Sequence, residues 1–233
     1  ILEHENSSRL NEILPNYLFR NDVEVIWRTN NWGEPNIKIK NYQKAGDLEK
    51  KCQGSGCDYD EILLTNLKEQ IQSSKKNKIL LVLHTSTSHG PTYYKKYPPK
   101  FNKFTPVCKS VELGKCTQEE LINAYNNTIV YTDYILATLI EKLKQLDEYN
   151  SLMFYVSDHG ESLGEKNLYM HGIPKSIAPK EQLDIPFIVW QSNNSRKLKK
   201  NEFLLQHNVF HSVLDFLAIE SPIYDKNMSI FKE

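Results

Sequence analysis

Four short runs of the chain are apolar almost without interruption: Val23–Trp27, Ile79–His84, Leu152–Val156 and Ile185–Trp190. A strand with one face in water alternates apolar and polar residues. Near-continuous Val, Ile, Leu and Phe content instead asks for cover on both faces, as in a largely parallel sheet. Helical patterns fill the intervals. Asp58 and Glu61 stand in capping-box spacing ahead of a helix expected from Tyr59 to Gln72. Thr117 and Glu120 do the same for a long helix through Leu146, and another is expected from Val209 to Leu217. Alternating strands and helices give an α/β fold, a mostly parallel sheet sandwiched by helices. A chain of 233 residues fits one such domain, residues 1–233, around a single core.

Parallel crossovers bring the C-terminal ends of the strands to one edge, where open α/β sheets bind ligands. Asn30 and Asn31 follow the first run, His84 to His89 close the second, and Ser157-Asp158-His159-Gly160 follow the third. An adjacent carboxylate and imidazole offer a hard oxygen and a nitrogen, a set that suits Zn²⁺ and tolerates Mn²⁺. Taken alone, Asp-His after a strand is more often a cap or a turn. Two further histidines change the balance, because His89-Gly90-Pro91 and His171-Gly172 also stand in polar loops marked by chain-bending residues. An imidazole near its free pKa can act in either protonation state. His84, still in its strand, reads as an orienting group, and His4, His207 and His211 as surface residues. Glu161, Ser162 and Glu165 read either as orienting groups or as an exposed capping cluster.

Lys plus Arg and Asp plus Glu number 29 each, so the chain has no net charge. That argues against a nucleic-acid partner, which would require a basic face. No stretch reaches the roughly 18 apolar residues of a membrane span, and no signal segment opens the chain, so a soluble domain is expected. Four cysteines fall as close pairs, Cys52 with Cys57 and Cys108 with Cys116. Loop-closing disulfides are the natural reading, with reduced structural cysteines as the alternative.

The stretch SDHGESLGEKNLYMHG from Ser157 to Gly172, with SHGP at Ser88–Pro91, FTPVC at Phe104–Cys108, INAYNN at Ile122–Asn127 and APKEQ at Ala178–Gln182, resembles the periplasmic catalytic domain of bacterial phosphoethanolamine transferases. The resemblance covers nearly the whole chain. It implies an alkaline phosphatase/sulfatase-like fold, a monomer at the periplasmic face of the bacterial inner membrane, and disulfides at both cysteine pairs. It also implies a zinc-dependent reaction in which a threonine takes phosphoethanolamine from phosphatidylethanolamine and passes it to lipid A, an oligosaccharide or a surface protein. Asp158 and His159 match the metal pair, and His89 and His171 match substrate-side histidines with catalytic and binding roles. Asn31 matches a headgroup-binding amide. The family's serine and lysine at that loop are replaced by Trp32 and by the run Gly33-Glu34-Pro35, which leaves Lys38 or Glu34 to meet the headgroup. The matching metal-binding glutamate and nucleophilic threonine fall upstream of Ile1, as does any membrane domain, so these residues alone are expected not to complete a turnover. A phosphoglycerol transferase or a phospho- or sulfo-ester hydrolase of the same superfamily is the alternative among enzymes, and a non-catalytic binding module the alternative outside them.

Overall fold

The computed structural model describes residues 12–193, 196–199 and 203–232, so His4 lies outside the described residues. Helix α1 (Leu14–Arg20), strand β1 (Glu24–Thr29), strand β2 (Asn41–Lys44), the one-turn α2 (Ala45–Leu48), helix α3 (Leu67–Gln72) and strand β3 (Ile79–His84) come first. They are followed by α4 (Gln118–Lys144), β4 (Leu152–Val156), the two-residue strands β5 (Ser162–Leu163) and β6 (Tyr169–Met170), the one-turn α5 (Lys180–Leu183), β7 (Phe187–Gln191) and α6 (Gln206–Phe216). Strands β2, β1 and β3 form a parallel sheet with β1 in the centre. The last two runs depart from the expectation of one parallel sheet, because β4 and β7 pair antiparallel in a separate two-stranded sheet that sets Met153 opposite Trp190. A parallel return needs a crossover, usually a helix. Residues 157–186 are spent instead on loops, the β5–β6 hairpin and one helical turn.

Strand β1 shows why its residues are apolar on both sides. Successive side chains point to opposite faces, so Ile26 packs with Leu67, Ile71, Tyr131 and Ile135 of α3 and α4. Val25 packs with Leu18 of α1 and with Val213 and Leu214 of α6. Helices therefore cover both faces of the sheet, as a continuous apolar run requires. Helix α4 is started by the expected capping box: Thr117 Oγ1 accepts from Glu120 N at 3.2 Å, and Glu120 Oε2 accepts from Thr117 N at 2.9 Å. Among the described residues no helix is long and apolar enough to cross a membrane.

The helix expected from Tyr59 breaks in two. Residues Asp60–Leu64 form a 3₁₀ turn, Asn66 takes a left-handed φ of 47°, and α3 begins only at Leu67. Arg28, buried in β1, is the reason. Its guanidinium donates to the carbonyls of Leu63 at 2.6 Å and Thr65 at 2.7 Å, acceptors that a continuous helix would need for itself. Burial pulls the Arg28 pKa down to about 10, so it stays charged at neutral pH.

The C-terminal segment is held to α6 by Asp215, which accepts from Arg196 Nη2 at 2.6 Å and from Ser229 Oγ at 2.5 Å. Burial works to raise its carboxyl pKa, but the bonds from Ser229 and Arg196 outweigh burial and hold it below the usual range. A depressed carboxyl stabilises the fold above its unfolded pKa and loses that contribution as pH falls through the folded value. Asp215→Asn is accordingly expected to cost about 1–2 kcal/mol at pH 7, with the gap to wild type closing in urea titrations carried down toward pH 3. A gap that stays constant with pH would contradict this role.

Candidate active site

Strand β4 delivers Ser157–Gly160 to the C-terminal edge, and three contacts fix the loop. The Gln206 side-chain amide at the start of α6 donates to the carbonyls of Ser157 at 2.9 Å and Asp158 at 2.8 Å. Gly160 N–H donates to the Gln182 carbonyl at 3.0 Å. That approach demands glycine, since a Cβ at position 160 would stand 2.0 Å from the Glu181 carbonyl oxygen. Ser157 Oγ donates to the His159 carbonyl at 2.6 Å and tightens the turn.

Asp158 Oδ2 and His159 Nε2 stand 3.8 Å apart, with the Asp158 side chain 61% exposed. Two donors at the roughly 2.0–2.2 Å bond lengths of zinc fit such a separation. His159 Nδ1 lies 2.9 Å from the Gly160 carbonyl, which fixes the proton on Nδ1 and leaves Nε2 as a lone-pair donor. The pair fits a metal ion on its geometry and its donor set.

The β5–β6 hairpin then folds back and stacks His171 on His159, with ring centroids 3.8 Å apart. His171 Nδ1 pairs with Glu161 Oε1, and Glu161 Oε2 accepts from the Tyr93 hydroxyl. Burial, reinforced by Glu161, pushes the Tyr93 hydroxyl well above its ordinary pKa, so it remains a donor. The Glu161 side chain is only 5% exposed, which makes it an orienting group and removes the exposed-cap alternative. His159, Glu161 and His171 place one ligand atom each within 4.8 Å of one another. Each Glu161 oxygen is engaged by one neighbour, Tyr93 or His171, while Asp158 with His159 offers a second, more exposed donor pair beside that trio. His89 completes the group: its ring lies 5.3 Å from that of His171, and its Nδ1 is 2.8 Å from the Gly90 carbonyl.

Asn31 sits on the same edge after β1. Its Oδ1 accepts from Trp32 N at 2.9 Å, which leaves the side-chain N–H₂ to donate outward. Glu34 is engaged elsewhere, paired with His84 Nδ1 and accepting from the Tyr42 hydroxyl at 2.8 Å. Burial works to raise the Glu34 carboxyl pKa, but these hydrogen bonds outweigh it and hold it low. His84 is thus an orienting group, as its place in the strand suggests. The backbone N–H of Lys38 donates to Asn16 Oδ1 at 2.7 Å and ties this loop to α1. Lys44 at the end of β2 brings a cation to this loop, its Nζ lying 3.1 Å from where a Cβ on Gly33 would stand. Sequence reasoning missed it because the contact crosses from a neighbouring strand; the one local signal was Gly33, whose φ of 105° and lack of a side chain make the room.

The loops after β1 and β3 share a buried anchor that sequence reasoning also missed. Asp60 accepts from Asn30 Nδ2 at 2.7 Å, from Ser86 N at 3.0 Å and from the Thr87 hydroxyl. Cys52 is bonded to Cys57, and Cys108 to Cys116, the second pair packing in one cluster with Tyr93, Leu163 and Met170 beneath the β5–β6 hairpin.

Comparison with known proteins places this arrangement. The sulfatase family profile matches residues 10–219. Phosphoethanolamine transferase EptA of Helicobacter pylori is 42% identical over 100% of this chain and 46% of its own length. The C-terminal periplasmic domain of phosphoethanolamine transferase EptC from Campylobacter jejuni superposes with a TM-score of 0.86 at 39% identity, covering 98% of this chain and 73% of that one. The integral membrane protein lipooligosaccharide phosphoethanolamine transferase A from Neisseria meningitidis superposes with a TM-score of 0.78 at 37% identity, covering 90% of this chain and 41% of that one. The chain therefore spans less than half the length of the Helicobacter pylori protein.

Proposed function

The chain belongs to the sulfatase family and, within it, to the phosphoethanolamine transferase branch, and we propose that it forms the site where phosphoethanolamine passes from phosphatidylethanolamine to lipid A or another cell-surface acceptor. One observation carries the reading. Three imidazoles, His89, His159 and His171, each have Nδ1 engaged by a carbonyl or carboxylate and so turn Nε2 toward a common edge beside Asp158.

Zinc, or manganese, held by Asp158 and His159 would lower the pKa of an attacking hydroxyl and draw charge from the phosphoryl oxygens. His171, its ring aimed by Glu161, would as an imidazolium protonate the departing diacylglycerol oxygen from Nε2 in the first transfer, and the neutral ring left behind would take the hydroxyl proton of the attacking acceptor in the second. His89 Nε2 and the Asn31 amide hold phosphoryl oxygens, and the Lys44 ammonium supplies the positive charge that an anionic headgroup needs. Transfer then runs as two displacements through a phosphoethanolamine–threonine. Two disulfides support an oxidising compartment, in keeping with the periplasmic face of the inner membrane.

Release of a fluorescent phosphatidylethanolamine headgroup tests the reading, measured on residues 1–233 and on the same residues extended upstream. Release by the extended form, lost on chelation and restored by zinc, is the expected outcome. Preference for phosphatidylglycerol would favour the phosphoglycerol transferase instead. In the active form, Lys44→Ala is expected to raise KM about tenfold with kcat nearly unchanged, since its charge meets ground and transition states alike. An equal loss in kcat would contradict a binding role.

A further inference from the structure

We propose that the edge carrying Asp158 and His159 docks onto a lipid bilayer through exposed apolar side chains on three loops around it, seating the site in the interfacial layer. The proposal rests on the reading that the donor is a phospholipid. Trp32 is 92% exposed, Ile177 73%, Phe203 89% and Leu205 60%. Single apolar side chains on a surface are ordinary, whereas several large ones carried by the loops of one edge mark a contact. These four lie on segments tied to the metal-pair loop or to its histidines.

The Trp32 ring stands 6.4 Å from that of His89. Ile177 belongs to the loop that leaves His171 and enters α5, whose Gln182 carbonyl receives the Gly160 N–H. Leu205 directly precedes Gln206, the residue whose amide holds the Ser157 and Asp158 carbonyls, and Phe203 stands two residues earlier. Such placement keeps large apolar groups in water at the one edge where a lipid headgroup would have to arrive.

Charge singles out the occupant. The loop 172–180 reads GIPKSIAPK, with exposed Lys175 and Lys180 on either side of Ile177 and no acidic residue. Lysines beside apolar and indole side chains suit the headgroup layer of a membrane containing anionic lipids, where tryptophan also prefers to sit. A second protein would offer no reason for this combination to surround a phosphoryl-transfer site. The Neisseria meningitidis relative is itself an integral membrane protein.

Vesicles of phosphatidylethanolamine and phosphatidylglycerol, with and without brominated acyl chains, provide the test. Trp27 and Trp190 are half-buried in β1 and β7, so a lipid-dependent emission signal should belong to Trp32. The expected result is a blue shift and bromine quenching in the wild type, both lost in Trp32→Phe. Partition of Trp32→Ala/Phe203→Ser in co-sedimentation should fall by roughly tenfold or more per side chain, with an unchanged far-ultraviolet circular dichroism spectrum. Quenching that survives Trp32→Phe, or unchanged partition of the double variant, would overturn the proposal. Headgroup release from a short-chain phosphatidylethanolamine in free solution separates the two readings. Release there with wild-type vesicle binding in the variants would sink docking alone. Trp32-dependent vesicle binding without release from any donor would uphold docking and sink the transferase.

Discussion

Asp158→Ala and His159→Ala are each expected to lower headgroup transfer roughly a thousandfold, the several kcal/mol that a bound metal contributes at a phosphoryl centre. Both variants should also lose bound zinc in elemental analysis, because a pair of donors 3.8 Å apart cannot be replaced by one. Neither should unfold. The loop is held by backbone groups, through Gln206 and through Gly160 to Gln182, and these bonds do not pass through the two side chains. Glu161→Gln is the informative companion: with Glu161 aiming His171 and the ion held by Asp158 and His159 as proposed, zinc should stay while transfer falls, and loss of zinc would move Glu161 into the ligand set. Full zinc and full activity in Asp158→Ala would remove the assignment.

Asp60→Ala is expected to bring the largest loss of stability in the molecule, about 3 kcal/mol or more in urea denaturation. Its carboxylate lies buried between the loops that follow β1 and β3, and removing it strands donors from Asn30, Ser86 and Thr87 away from water. Those loops continue into Asn31 and His89, so the headgroup side of the site should loosen with them, while zinc binding at β4 persists. A loss below about 1 kcal/mol would mean that water replaces the carboxylate and that the anchor is not needed.

Much of this architecture was legible in the residues. The runs Ile79–His84 and Leu152–Val156 coincide with β3 and β4, and Thr117 with Glu120 marks the true start of α4. Asp158, His159, His171 and His89 could be brought to one edge because strand ends and glycine-marked loops are local signals, although β4 pairs antiparallel with β7 in a sheet of its own. What failed depended on distant partners. The helix from Tyr59 looked sound by its own spacing, and it breaks because Arg28, more than thirty residues upstream, takes its carbonyls. Asp60 resembles any acidic residue near a helix start until Ser86 and Thr87 close over it. Glu161 was equally suited to an exposed cap, and only the approach of Tyr93 shows it as the group that aims His171. Lys44 could not be tied to Asn31 without knowing that β2 pairs beside β1, with Lys44 opposite Thr29.

The central claim is that this edge transfers phosphoethanolamine through the protein itself, and intact-mass spectrometry after incubation with phosphatidylethanolamine and zinc tests it most directly. The upstream-extended form should gain the mass of one phosphoethanolamine group, the gain should disappear on adding lipid A, and Asp158→Ala should show none. Turnover of phosphatidylethanolamine with the protein mass unchanged would contradict a covalent transfer, and no turnover at all would contradict the function.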